Sequence, residues 1–440
     1  MSSPIREFLE KGPATSKEIQ LRTGFSQPTV ARNLREMGDS VIKLPEGRSV
    51  RYAVTCNAFG ANDRLPLVMV DAHGTHVVVA NIRPLAHGGF FVEAENGMSE
   101  VLQGDKGNGV YDDLPYFLYD LCPQGFIGRQ IALEMASQSD VFPPDPRNWN
   151  SNHIGRFLLS NGDDLPGNFK LGDQACLRLR KKPVPVSEEN YPELADSVMN
   201  GVIPGSSTGG EQPKFTAFSG NSLSHVIVKF SPKGDNNVAQ RWRDILITEH
   251  YAAQACRHHK IPAAETRLLD RDGRLFLEAL RFDRVAEFGR LPMISLKAID
   301  SEYTGLLSNW PRVLNALHSR DLVSRQDVDN VAMLWLFGCL INNTDMHLGN
   351  LSFSIDGNMF RLLPVYDMCS MGFAPKSGGD VLPFAFTAAL PEKTNLNGNE
   401  VSRVIKMAHD FWDSLAEDER ISKELRHFLN KGNPVKAIQR

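Results

Sequence analysis

Asn342-Asn-Thr-Asp-Met-His-Leu-Gly-Asn350, running on into Leu351-Ser-Phe-Ser354, is the stretch whose reading decides the fold. It follows the apolar run Val331–Ile341, which reads as a buried helix. Asp345 and Asn350 stand five residues apart, the spacing of the aspartate and asparagine in a protein-kinase catalytic loop. In that chemistry the aspartate accepts the proton of the attacking hydroxyl and the asparagine holds a metal ion. Seventeen residues beyond Asn350, Leu362-Leu-Pro-Val-Tyr-Asp367 places a second metal-binding carboxylate, Asp367, at the end of an apolar strand. A lone D-x-x-x-x-N carries little information, so the weight falls on what precedes it.

Upstream lies Ile203-Pro-Gly-Ser-Ser-Thr-Gly-Gly-Glu-Gln-Pro-Lys-Phe215. Its glycines and hydroxyl residues let backbone N–H groups approach an anion, although the same composition also suits a plain flexible turn. It is not a Walker A loop, because G-x-x-x-x-G-K-[ST] is absent. As a phosphate loop it would present Gly209, Gly210, Glu211, Gln212 and Pro213, with Lys214 adding a point charge. Next comes the strand Ser224–Phe230, where Lys229 is flanked by Val226, Ile227, Val228 and Phe230. A lysine in such a run needs a partner or a ligand, because burying it alone is costly. A helix over 243–256 carries Glu249, a candidate partner for Lys229.

The order of phosphate loop, strand lysine, helix glutamate, D-x-H-x-x-N and second aspartate points to a phosphotransferase using ATP and Mg2+. Lys229 and the loop would hold phosphates, and Asn350 and Asp367 would hold the metal, which keeps oxygen ligands. Asp345 would orient and deprotonate the substrate hydroxyl. His347 reads as a structural histidine or as a polar group near the phosphates. The backbone of His347, Leu348, Gly349 and Tyr366 is expected to line the nucleotide site.

Composition sets the frame. The chain has 440 residues, 42% hydrophobic and 23% charged, which suits two to four ordinary globular domains. Net charge is −4, so the whole chain is no polycation for nucleic acid, and any such role must be local. The six cysteines show no C-x-x-C, which argues against a zinc ribbon or a redox dithiol. The N-terminus lacks the basic and apolar regions of a signal peptide, and Val331–Ile341 is too short to span a bilayer. The expectation is a cytoplasmic protein without a membrane partner.

Residues 1–60 are locally basic, with nine Lys/Arg against six Asp/Glu. Thr15 with Glu18 forms a capping-box pattern, Gln27-Pro28 opens a second helix to about Met37, and Ile42–Val54 alternates as a hairpin around Pro45-Glu46-Gly47. Helix, turn, helix and hairpin is the plan of a winged helix-turn-helix. Gln27, Thr29, Arg32, Arg48 and Arg51 are its candidate DNA contacts, and protein contact or autoinhibition is the competing use. The expected fold is α+β, a two-lobed protein-kinase-like fold preceded by the winged helix. Its parts would be residues 1–60, an intermediate segment 65–195, a nucleotide-binding lobe 196–284 and a helical catalytic lobe 285–440.

Beyond the catalytic loop, further motifs resemble the HipA-like serine/threonine kinase toxins. They are Pro115-Tyr-Phe within Asp112–Gly125, Gly162-Asp-Asp-Leu-Pro-Gly167, Ser207-Thr-Gly-Gly-Glu-Gln-Pro-Lys214, Arg281-Phe-Asp-Arg284 and Asn343–Asn350. The resemblance covers roughly residues 65–430. It implies a HipA-type N-terminal subdomain over 65–195 and adenine contacts from Leu280, Arg281 and Phe282. It further implies a protein substrate, growth inhibition in excess, autophosphorylation of Ser207 and a HipB-like antitoxin partner. The winged helix fused in front departs from the family pattern, in which a separate antitoxin supplies DNA binding. Two other readings stay open: a small-molecule kinase of the aminoglycoside or choline type, and a DNA-binding regulator or nucleic-acid-acting toxin with a kinase-like body.

Overall fold

The computed structural model describes residues 3–46, 49–95, 97–162, 164–178, 181–200, 212–376, 378–391 and 395–438. Its chain divides into two compact units. One comprises Met1–Cys122 with Arg147–Lys181, the other Pro123–Pro146 with Lys182–Arg440.

The first unit opens with three short helices, α1 (Pro4–Leu9), α2 (Ser16–Thr23) and α3 (Gln27–Glu36). The capping box forms: Thr15 N donates to the Glu18 carboxylate at 2.7 Å, and Glu18 N donates back to the Thr15 hydroxyl. Gly24, at φ +72°, ends α2 in the left-handed conformation that glycine adopts freely. Ser26 caps α3 and Pro28 sits in its first turn. Strands β1 (Val41–Glu46) and β2 (Ser49–Val54) pair antiparallel, and Val54 joins Ile5, Leu9, Ile19 and Val30 in one core.

Behind them lies a five-stranded antiparallel sheet of β3 (Leu65–Val70), β4 (His76–Pro84), β5 (Phe90–Ala94), β6 (Val110–Tyr111) and β7 (Phe169–Leu171), in the order β6-β5-β4-β3-β7. Arg83 on β4 is 2% exposed and ties the two parts together. Its guanidinium donates to the carbonyls of Asp39 at 2.7 Å and Asp63 at 2.8 Å. Ala86 N adds a bond to Val54 O at 2.8 Å. The front helices and hairpin therefore pack into the same unit as this sheet.

The second unit holds another five-stranded sheet, of β8 (Pro185–Val186), β9 (Lys214–Ser219), β10 (Ser224–Phe230), β11 (Thr266–Arg271) and β12 (Arg274–Leu280). The order is β11-β12-β10-β9-β8, antiparallel except for β8 with β9. Alternation along β10 turns Val226, Val228 and Phe230 to a core shared with Phe215, Phe276 and Tyr191 of α4 (Tyr191–Asn200). Lys229 is left on the other face. The long helix α5 (Asn237–His258), capped by Asn236, packs beside β12 and β10.

The rest of the unit is mainly helical: α6 (Trp310–His318), α7 (Arg325–Leu340), α8 (Gly398–Glu417) and α9 (Lys423–Leu429). The apolar run Val331–Ile341 is the inner part of α7, which begins earlier because Ser324 caps it. Trp412 of α8 donates its indole N–H to Leu340 O at 3.1 Å and so fixes the end of α7 from which the Asn342–Asn350 loop departs. That loop leads into a small sheet of β13 (Ile294–Ser295), β14 (Ser352–Asp356) and β15 (Met359–Leu362).

One local expectation is corrected. Asp367 does not end a strand, since β15 stops at Leu362. Pro364 offers no N–H to continue the ladder, and only a single bridge from Val365 to Ala263 follows. Among the described residues, no helix is long and apolar enough to cross a membrane.

Candidate active site

Lys229 is only 5% exposed, although it lies on the face of β10 opposite the apolar core. Its Nζ donates to both carboxylate oxygens of Glu249, at 2.6 and 2.7 Å, and also to Asp367 Oδ1. Burial disfavours the ammonium, but Asp367 and Glu249 outweigh it and raise the lysine pKa above its ordinary value. Burial likewise opposes ionisation of Asp367, and Lys229 and Lys214 outweigh it, so that carboxyl sits below the usual range. The cluster is thus a charged lysine between two carboxylates from different elements. Lys214 lies directly across the β9–β10 ladder from Lys229.

The loop after α7 is built by side chains reaching back to backbone. Asn343, buried, accepts from Asp345 N at 3.0 Å and donates to Met368 Sδ at 3.2 Å. It therefore connects Asp345 with the residue next to Asp367. Asn350 donates its amide to Asp345 O at 2.7 Å, and Trp310 donates its indole N–H to His347 O at 2.9 Å. The Asp345 side chain is left 49% exposed, with its carboxylate 3.9 Å from His347 Nε2. His347 Nδ1 accepts from Gly349 N at 3.0 Å, so the ring organises its own loop. Tyr366 OH bonds to Ser352 Oγ at 2.7 Å and donates to Gly349 O at 3.1 Å, placing Tyr366 against the loop.

Two non-glycine residues here adopt positive φ, Asn342 at +61° and Asp367 at +54°. Such backbone costs roughly 1–3 kcal/mol and persists where the surroundings enforce it. Gly372 supplies part of that enforcement. Its N–H bonds to Asn342 O at 2.9 Å, and a Cβ on it would come within 2.4 Å of Asn342 Oδ1.

Other expected residues fall at varying distances from this cluster. Phe282 and Tyr366 have ring centroids 5.8 Å apart, which joins the expected adenine stretch to the loop. Leu280 N bonds to Glu265 O and Arg281 N to His225 O. The Arg281 guanidinium is buried and forks onto Asp283 at 3.1 and 3.0 Å, so its charge is engaged inside the fold. Gln212 and Pro213 lead into β9. Ser207, Gly209, Gly210, Glu211 and Arg48 lie outside the described residues.

In the front helices, Gln27 and Arg32 are exposed on α3, and Thr29 shares a 2.9 Å bond with the Ser26 hydroxyl. Arg51 is used internally: its guanidinium donates to Pro13 O at 3.1 and 2.6 Å. Asn343 and Trp310 are site-shaping residues that sequence reasoning missed. Asn343 does open the Asn343–Asn350 motif, directly after Asn342, but nothing in that stretch announces its bond to Met368.

Residues 206–431 match the HipA-like C-terminal domain family, and residues 61–180 match the YjjJ-like toxin middle domain. Toxin YjjJ of Escherichia coli (strain K12) is 36% identical over 442 residues, covering 98% of this chain and 96% of that protein. The chain belongs to the HipA-like toxin family. A chain of the Shewanella oneidensis MR-1 toxin–antitoxin complex of HipA, HipB and operator DNA aligns with a TM-score of 0.58 and 15% identity. That alignment covers 83% of this chain and 95% of that one. At such low identity the likeness speaks to fold, and the fold is the kinase-like one of HipA.

In this HipA-like fold the lysine cluster makes a stability prediction. Lys229→Met leaves two carboxylates without their cation and should cost about 3 kcal/mol or more in urea unfolding at neutral pH. Adding Glu249→Gln should recover much of that loss. Because the fold depresses the Asp367 pKa, its stabilising contribution is full above the ordinary carboxylate value near 4 and is lost as pH falls through the depressed value. Without Lys229, burial raises both carboxyl pKa values in the variant, so the gap between wild type and Lys229→Met should narrow as pH falls from neutral down through the depressed wild-type value of Asp367.

Proposed function

We propose that this chain is an ATP-dependent serine/threonine protein kinase of the HipA toxin type, growth-inhibiting in excess, whose front helices contact DNA. The observation that carries the reading is the bonding of Lys229 to both Glu249 and Asp367, beside a loop that orders Asp345 and Asn350. Phosphoryl transfer demands positioning and charge neutralisation rather than covalent catalysis, and this cluster supplies both.

The donor set fits Mg2+. Asn350 uses its amide nitrogen on Asp345 O, which leaves its amide oxygen, and Asp367 adds a carboxylate, both hard oxygen donors. Bound by these two residues, Mg2+ would neutralise charge on the nucleotide phosphates. Lys229 and Lys214 hold phosphate oxygens, with Gln212 and Pro213 next to Lys214 at the start of β9. Leu280, Phe282 and Tyr366 flank the base, and the backbone of Leu348 and Gly349 borders the site. Asp345 accepts the proton of the substrate hydroxyl as its oxygen bonds to the γ-phosphorus and the bond to the leaving oxygen breaks. The half-exposed Asp345 carboxylate suits a hydroxyl carried on a protein. Ser207 is the proposed autophosphorylation site, on the family resemblance.

The DNA part rests on the helix, helix and hairpin order of α2, α3, β1 and β2, read as a winged helix, with Gln27 and Arg32 on the open side of α3. A HipB-like antitoxin is the proposed protein partner, as the Shewanella HipA was solved with HipB and operator DNA.

The test is to treat the protein with phosphatase and incubate it with ATP, Mg2+ and a cell lysate. Phosphosites are then mapped in wild type and Asp345→Asn. Phosphate on Ser207 and on a lysate protein is expected, falling about 10²–10⁴-fold in the variant. No ATP-dependent product from wild type would overturn the kinase reading, and phosphate on an aminoglycoside or choline alone would move it to a small-molecule kinase. For the DNA reading, full-length protein should bind duplex DNA with an affinity that falls steeply with salt. Arg32→Ala should lower the log–log salt slope by about one. Binding indifferent to salt would contradict it.

A further inference from the structure

Arg241 takes no part in the proposed chemistry, yet it lies on α5 eight residues before Glu249 and is buried. Its guanidinium donates to Phe373 O and Leu382 O, each at 2.8 Å, and its carbon stacks 3.7 Å from the centre of the Phe384 ring. All three partners belong to the segment that follows Asp367. Closer to the site, Thr248, the neighbour of Glu249, accepts from Ser370 N at 3.1 Å. Helix α5 and this segment are therefore joined at three successive places: through Lys229, through Thr248, and through Arg241.

Both sides of the junction are anchored. Asp244, three residues after Arg241, accepts from Ser422 N at 2.8 Å and from its hydroxyl at 2.6 Å, which fixes α5 to the cap of α9. Phe373 packs against Phe384, Phe428 and Trp412, with centroids 4.9, 5.7 and 6.4 Å away. Arg241 spans these two anchored bodies, and its rigid planar fork meets two carbonyls in one fixed geometry, whereas a lysine would bring a point charge on a flexible stem. A cleft of about 1120 Å³ runs beside Arg241, Leu382 and Phe384.

We infer that Arg241 is a positioning residue that holds α5 and the segment after Asp367 in one register, so that Glu249 and Asp367 reach Lys229 together. The consequence for turnover rests on the proposed kinase function, whereas the consequence for structure does not.

Hydrogen exchange followed by mass spectrometry on the full-length chain decides it, comparing wild type with Arg241→Met, Arg241→Lys and Phe384→Leu. Arg241→Met should speed exchange about tenfold both in 371–384 and in the remote peptides around 245–256 and 367–370, the size expected for losing a charge-assisted hydrogen bond. Arg241→Lys should be intermediate. Turnover at saturating ATP should fall about tenfold in Arg241→Met with a smaller change in KM for ATP, and Arg241→Lys should restore part of it. Faster exchange confined to 373–384, with 245–256 and 367–370 unchanged, would overturn the inference. If Arg241→Met fails to fold, the other two variants decide by the same peptides, and wild-type exchange in both would overturn it. A wild type without phosphoryl transfer would defeat the proposed kinase and leave the exchange result standing.

Discussion

The buried ammonium of Lys229 sets the terms for the second unit. A charge removed from water costs several kcal/mol unless partners satisfy it, and here the partners come from a helix and from a segment more than a hundred residues further on. The arrangement works only if β10, α5 and the residues around Asp367 are all in place. Structural elements elsewhere in the unit can be read as serving that requirement. Asn236 starts α5, Trp412 fixes the end of α7, and Asn343 and Gly372 shape the turns that present Asp345 and Asp367.

The parts of this arrangement legible in the sequence are those with local signals. The apolar run Val226, Ile227, Val228 and Phe230 marks β10, and Thr15 with Glu18 announces α2 through a bond pair three residues apart. The spacing of Asp345 and Asn350 was legible too, because the amide of one bonds to the backbone of the other within a single loop. What stayed hidden depends on distant partners. Asn343 gains its role from Met368, and Arg241 from carbonyls at Phe373 and Leu382, which no spacing in the sequence brings together. The apolar stretch before Asp367 looked like a strand, but Pro364 and the left-handed Asp367 leave it irregular after Leu362, with one bridge at Val365.

The front half carries the same lesson. Alternation and capping revealed its helices and hairpin, but not that Arg83 would bind Asp39 and draw them onto the sheet behind. Arg51, the expected phosphate contact on the wing, also bonds to Pro13 O, a partner no local pattern announces. Nor could a linear reading show that the helix Gly125–Gln138 belongs with the second unit, where Gln130 donates to Val198 O at 2.9 Å. A relative 36% identical along nearly the whole chain indicates that front, middle and kinase-like parts form one family arrangement.

The measurement closest to the central claim is the rate of γ-phosphate transfer from radiolabelled ATP, compared between wild type, Lys229→Met and Glu249→Gln under conditions where all three are folded. If the lysine cluster organises the site, Lys229→Met loses transfer by at least about a hundredfold and Glu249→Gln by a smaller but clear factor, because the lysine is then misplaced rather than absent. Transfer at the wild-type rate by folded Lys229→Met would contradict the account.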